Sequence, residues 1–222
     1  MVKMSSESLG AEQLRCAFRA IAATMKSRSE QLRELDAACG DGDLGITVTK
    51  GFTAIERRLD DLEGEPPSRL LQSLGITFNN AAASTFGVFF ATAFMHAGKS
   101  IDKRDRIDVA DFCSMLRSAA DGITTRGRAK VGDRTILDAL VPAVDAAQAV
   151  AVQGGCWPDV LAAAATAAQE GAESTKELLP KTGRARWLGE QVRGIQDPGA
   201  AFVSFFLEAC CDALGTITES GQ

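Results

Sequence analysis

Several absences narrow the reading at once. The chain has no tyrosine, one histidine, two tryptophans and six prolines in 222 residues. Runs of β-branched residues are rare, so little favours extended strands. The six cysteines (16, 39, 113, 156, 210 and 211) form no C-x-x-C pair, which fits buried, reduced thiols. There is no basic excess: the formal net charge is −5 and the pI is near 5.0, against the positive stripe a nucleic-acid surface needs. No run of about 18 consecutive apolar residues occurs, so no membrane span is expected. The opening MVKMSSESLG lacks the apolar centre of a signal peptide, and the expected location is the cytoplasm.

What is present points to helices. Hydrophobic residues make up 45% of the chain, enough for one sizeable core. They recur at helical spacing in Leu9, Leu14, Phe18, Ile21 and Met25, again in Ile107, Val109, Phe112, Met115 and Leu116, and again in Ile136, Leu137, Leu140, Val141 and Val144. Glycine, proline and charged residues punctuate the gaps, at Gly40–Gly45, Glu63–Pro67, Gly98–Asp105, Gly127–Arg134, Gly154–Pro158 and Lys181–Pro198. The pattern predicts helices near 9–27, 29–38, 45–62, 67–81, 85–97, 108–124, 134–150, 158–178 and 198–216, the first two readable as one bent unit. The last, PGAAFVSFFLEACCDAL, is apolar almost all round and is expected inside a bundle or against a partner. No linker divides the chain, so residues 1–222 read as a single all-α domain.

The segment CGDGDLG contains Gly40, Gly42 and Gly45 at the spacing G-x-G-x-x-G. A dinucleotide fingerprint needs a strand before it and a βαβ unit around it, and the charged helical segment SEQLRELDAA precedes this one. The chemistry lies in the aspartates. Asp36, Asp41 and Asp43 span a helix end and a glycine turn, and Gly40 and Gly42 let the chain fold back so that the three carboxylates converge. Three such groups stay ionised together only with a cation among them. Hard oxygen ligands suit Mg²⁺, which also takes substrate phosphates, and the helix starting near Gly45 adds N–H groups for an anion. The alternative is a solvated acidic loop with aspartates as turn formers and caps.

LDAACGDGDLG resembles the L-D-x-x-x-G-D-x-D-H-G signature of the nucleotide-binding L subunit of the dihydroxyacetone kinase family. ADGITTRGRAKVGDRTILDALVP at 120–142, GAESTKELLPKTGRARWLGE at 171–190 and QDPGA at 196–200 fit the same family in order. The resemblance implies a single-domain barrel of about eight antiparallel helices, with ADP or ATP and two Mg²⁺ ions at one end. It implies Asp36, Asp41 and Asp43 as metal ligands, Leu44, Gly45, Ile46 and Thr47 along the phosphates, and Ala83 and Ser84 in a small-residue loop under the nucleotide. Gly127 and Ile136 fall around the base, and Arg184, Asp197, Pro198 and Gly199 supply the remaining contacts.

The residues themselves allow plainer roles. Asp197 and Pro198 make a good helix start, Arg184 fits a surface ion pair, and Asp133 fits a cap on a helix entered at Arg134-Thr135. His96 reads as a capping or partly buried residue near a helix end. Leu44 stands where the family has histidine, which predicts a lost polar contact to phosphate. Ala81–Ala83 replace a glycine-rich stretch.

In the family, a K subunit or domain captures the ketose through a histidine. With one histidine and no second domain, the chain is expected to need such a ketose-binding K subunit as partner, for dihydroxyacetone or an erythrulose. The donor is ATP directly, or ADP recharged by a phosphotransferase-system phosphohistidine protein. A homodimer is a further expected form, and neither nucleic acid nor membrane is an expected partner. Two rivals remain at this point: a fatty-acid-kinase-like nucleotide domain, whose turn typically reads D-G-D-T-G, and a regulatory or scaffold homologue without turnover.

Overall fold

The computed structural model of the chain describes residues 8–219, apart from the side chains of residues 184 and 216–219. The helices are α1 (Ala11–Ser27), α2 (Ser29–Cys39), α3 (Leu44–Leu59), α4 (Pro67–Ala81), α5 (Thr85–Ser100), α6 (Val109–Gly127), α7 (Leu137–Val152), α8 (Trp157–Ser174) and α9 (Pro198–Glu219). α1 packs on α3, each helix from α3 onward packs on the next, and α9 returns to α1, closing a ring of eight. α2 lies outside that ring, against α3 and α9. It buries only Leu32 and Cys39, as its charged sequence requires. The expected first bent unit is therefore two helices with different positions.

Short connections make successive helices antiparallel neighbours. The starts of α3, α5, α7 and α9 accordingly share one end of the barrel with the ends of α2, α4, α6 and α8. Aromatic packing is consistent with this. Near the start of α5, Phe86 meets Phe202 near the start of α9 at 4.6 Å between ring centroids, in favourable edge-on geometry. Deeper in the barrel, Phe90 stacks on Phe78 and Phe94 at 4.1 and 4.3 Å. The middle encloses an apolar cavity of about 130 Å³, lined among others by Phe18, Phe94, Met115, Trp157 and Phe206. No polar group there can fix water or a charged ligand, so the chemistry must lie at the barrel end.

α9 is long and apolar enough over Pro198–Gly215 to cross a membrane by length and composition. Its place between α8 and α1 accounts for that character, since Ala200, Ala201, Phe202, Leu207 and Cys210 are buried in the core.

Several boundaries differ from the sequence expectation. α7 begins at Leu137 rather than 134, because Arg134 takes a left-handed backbone with φ 60° that no helix can include. Residues 60–62 and 175–177 are 3-10 turns rather than helix, and two more 3-10 turns, Arg184–Trp187 and Gly189–Val192, fill the long connection to α9. Two strands, β1 (Leu9–Gly10) and β2 (Arg106–Ile107), pair antiparallel. Two residues are too few to leave an alternating pattern in sequence.

Candidate functional site

The acidic turn is built from its neighbours. Asp36 lies on the last turn of α2, and the chain then reverses through Gly42 at φ 73°, a conformation glycine adopts without steric cost. It re-enters helix at Leu44, and Gly45 makes the close return feasible. A Cβ at Gly45 would overlap the Ser29 carbonyl oxygen and lie 2.7 Å from Arg33 Cβ, so glycine lets α3 start against α2.

The result brings together what the spacing proposed. Carboxylate oxygens of Asp36, Asp41 and Asp43 lie within 4.8 Å of one another, with Asp41 and Asp43 exposed and Asp36 half-buried. The Leu44 N–H donates to Asp36 Oδ2 at 3.0 Å. Asp36 therefore caps α3 from the preceding helix, while Asp43 occupies the capping position without a capping hydrogen bond. Cap and cluster coexist here, where the sequence posed them as alternatives. The donor set fits Mg²⁺ in its chemistry: three hard carboxylate oxygens, two of them on exposed residues. Asp36 Oδ1 remains on the cluster side, 3.3 Å from where a Cβ on Gly40 would stand.

The next four residues divide. The Leu44 side chain is 5% exposed and belongs to the core. Position 44 thus offers the acidic turn its backbone and no polar side chain. Gly45 and Thr47 are buried, and Ile46 is exposed. The Thr47 N–H donates to the Asp43 carbonyl, starting the helical ladder, so the first-turn amides precede it at the acidic turn.

A second wall forms around the start of α9. The Asp197 carboxylate accepts from the Ala200 N–H at 2.8 Å, and the Asp197 N–H donates to Thr175 Oγ1 at 2.8 Å. This is the expected cap, with half-buried Pro198 as first helical residue. Burial pushes the Asp197 carboxyl up to about 6, opposed by the Ala200 N–H and by Arg134. Gly199 faces Ile136: a Cβ on Gly199 would sit 3.6 Å from Ile136 Cβ, so two predicted nucleotide residues meet. The Arg184 side chain lies outside the described residues.

A third group lies on α4 to α6. Ser84 caps α5, its Oγ accepting from the Gly87 N–H at 3.0 Å, and Ala83 is exposed. The tightest approach in this loop falls at Gly87, whose Cβ would lie 2.5 Å from the Ala82 carbonyl oxygen. Ala81 is exposed like Ala83, and Ala82 is buried. Gly127 ends α6 beside the Phe89 ring. His96 is exposed and four residues short of the end of α5, its ring lying across Gly122 of α6 rather than on a helix cap.

Sequence reasoning missed three residues. Arg134 is 2% exposed. Its Nη2 donates to Ile195 O at 2.9 Å, Val192 O at 3.5 Å and Cys39 Sγ at 3.3 Å, and Nη1 lies 3.9 Å from Asp197 Oδ2. Asp138 closes the loop before α7, accepting from the Gly132 and Thr135 N–H groups. Asp133 does not have the capping role expected of it: its carboxylate accepts from the Lys130 N–H, which with Lys181 holds it below the usual carboxylate range. The signal for Asp138 was present, since Thr135-x-x-Asp138 has capping-box spacing. Thr175 and Arg134 carry no local signal, because both act on residues far along the chain.

Comparison with known proteins places the chain in a family. Residues 38–212 match the DAK2 domain. The chain is 32% identical over 182 residues to the ADP-binding subunit DhaL of the PEP-dependent dihydroxyacetone kinase of Escherichia coli, covering 82% of this chain and 87% of that one. It is 31% identical over 215 residues to the D-erythrulose kinase of Mycolicibacterium smegmatis, covering 96% of this chain but 37% of that one. The crystal structure of the dihydroxyacetone kinase of C. freundii in complex with AMP-PNP and Mg²⁺ matches with TM-score 0.69 at 25% identity, over 96% of this chain and 36% of that one. The chain therefore spans most of a separate subunit and little more than a third of those longer kinases. With an all-α barrel, a carboxylate cluster at its end and a match across most of its length, the chain belongs to the DAK2 domain family.

Proposed function

We propose that the chain holds ADP or ATP with two Mg²⁺ ions at the acidic turn, and supplies a phosphoryl group to a small ketose carried by a separate K subunit in the cytoplasm. Dihydroxyacetone and erythrulose are the candidate ketoses, from the names of the relatives. One observation carries the reading: three carboxylates lie within 4.8 Å of one another at the start of a helix. Such a cluster repels itself without a cation, and the helix start beside it favours an anion.

Asp41 and Asp43 offer ligand oxygens from the open side, and Asp36 offers the oxygen that Leu44 does not use. These carboxylates would hold Mg²⁺, which would supply positive charge for the phosphates during phosphoryl transfer. The first-turn amides of α3 face the phosphates, and Ile136 with Gly199 forms a wall for the base. Lys181 is tied to the Gly132 carbonyl at 2.8 Å and to Asp133 at 3.3 Å, so it braces the loop, and the role of Arg184 at the phosphates rests on the family resemblance alone. Spent ADP is exchanged for ATP or rephosphorylated in place by a phosphohistidine protein. The scaffold reading rests on Leu44 and the Ala81–Ala83 stretch, and nucleotide binding separates it from the kinase reading.

Calorimetric titration tests this. ADP should bind saturably with Mg²⁺, and Asp41→Asn should weaken that binding by about a hundredfold or more, the loss of a charged ligand, with unchanged helical circular dichroism. Equal binding by the variant removes the metal assignment, and absence of saturable binding in the parent favours the scaffold reading.

A further inference from the structure

Arg134 has a costly environment. Its guanidinium is buried, and Nε and Nη1 have no hydrogen-bond partner among the described residues. Its backbone sits at φ 60°. Orphaned buried donors and a left-handed backbone at a non-glycine residue both cost stability. A side chain needed only to fill this space would be better apolar, so the reason for an arginine lies in what it touches.

Those contacts come from separate parts of the chain. Cys39, 95 positions away, is the last residue of α2 and lies between Asp36 and Asp41. Val192 and Ile195, 58 and 61 positions away, belong to the connection that leads into Asp197. Asp197 starts α9. One planar group with donors on several edges spans all of them, a geometry the single ammonium of lysine reproduces only in part. No other described side chain makes hydrogen bonds to both the end of α2 and the Val192–Ile195 segment.

We propose that Arg134 is a positioning residue, whose guanidinium fixes the end of α2 against the start of α9 and thereby holds the carboxylate cluster in register with the Asp197–Gly199 wall. The role rests on the nucleotide and metal reading for its purpose. Its immediate physical effect, immobilising the turn, is measurable without any ligand.

Hydrogen exchange on the ligand-free full chain reads that effect. The Leu44 amide, held by Asp36, reports on the turn. In Arg134→Met, amides of residues 40–44 should exchange at least about tenfold faster, as in local opening, with amides in the middle of α8 unchanged. Arg134→Lys should recover to within about threefold of the parent, by restoring one charged donor. Leu161→Ala, a core truncation on α8 remote from the turn, supplies the control. It should lower the thermal midpoint of the barrel without singling out residues 40–44. Should Arg134→Met lose its helical content, Cys39→Ala removes the contact from the other side and should raise exchange of the same amides by about threefold.

Mn²⁺-ADP affinity by electron paramagnetic resonance is the second readout. It should fall by about thirtyfold or more in Arg134→Met, recover to within about fivefold in Arg134→Lys, and stay within about twofold in Leu161→Ala, since about 0.5 Å of misplacement suffices to spoil a site. Parent-like exchange of residues 40–44 in Arg134→Met, or in Cys39→Ala where the former does not fold, overturns the positioning role. Lysine and methionine variants that behave alike also overturn it. If the exchange pattern appears as stated but the parent binds no Mn²⁺-ADP, the nucleotide reading fails and the positioning role stands.

Discussion

The two walls of the site are made in opposite ways. The acidic turn uses residues 36–44, close in sequence, with carboxylates open to solvent and glycines that allow the reversal. The wall opposite uses Arg134, Thr175 and Asp197, scattered along the chain, with a charged group buried on each side of a 3.9 Å gap. An exposed carboxylate costs little until a cation arrives, so the first wall can be a short motif. A buried charge is tolerable only where distant elements supply partners, so the second exists only in the folded barrel. The first wall is suited to binding charge and the second to holding position.

Three substitutions sharpen that contrast, beyond the loss of metal-dependent binding expected of Asp41→Asn. The largest concerns pH and the buried wall. The Asp197 carboxyl is raised from 3.8 to about 6, so the folded state holds its proton more tightly than the unfolded chain does. That contribution is complete below about pH 4 and is lost as the pH rises through about 6, a change of about 3 kcal/mol. Asp197→Asn keeps the acceptor for the Ala200 N–H and cannot ionise. Urea unfolding between pH 4 and 7 should show the parent losing stability, relative to the variant, by about that amount. Parallel curves would mean that Arg134 keeps Asp197 ionised throughout.

Leu44→His should be smaller. The side chain is in the core, so an imidazole there should cost about 2 kcal/mol of unfolding free energy and bring no gain in ADP affinity. Tighter binding with unchanged stability would show that position 44 can turn its side chain to the phosphates. The smallest effect belongs to Gly42→Ala, at φ 73° with a Cβ 3.1 Å from Ala37 Cβ. A loss of about 1 kcal/mol is expected, read by thermal unfolding. A neutral result would mean that the turn relaxes to another backbone shape.

Leu44 shows why a motif is not yet a geometry. The resemblance placed residues 44–47 at the phosphates as a block, but a helix turns its side chains by about 100° per residue. One side chain of the first turn points outward and its neighbours point inward, with only their amides left at the turn. Ser84 and Asp133 teach the same lesson: each is a polar residue at a loop, and its partner depends on which backbone N–H the loop brings round. Asp133 takes the Lys130 N–H, and the first amide of α7, the Leu137 N–H, goes to Thr135 Oγ1 instead.

Read by itself, the sequence determined the helical class, most helix positions, the carboxylate cluster and the Asp197 cap. Each rests on interactions within a few residues: hydrophobic periodicity, glycine conformation and the reach of a short side chain to the next amides. Tertiary structure alone decided that α1 and α9 close the ring, that α2 stands outside it, and that Arg134 ties Cys39 to the start of α9. The Arg134 contacts span 58 to 95 positions and those of the first helices with α9 about 180, and no local pattern encodes them, because the free energy of burying a group is set by whatever the finished fold places around it.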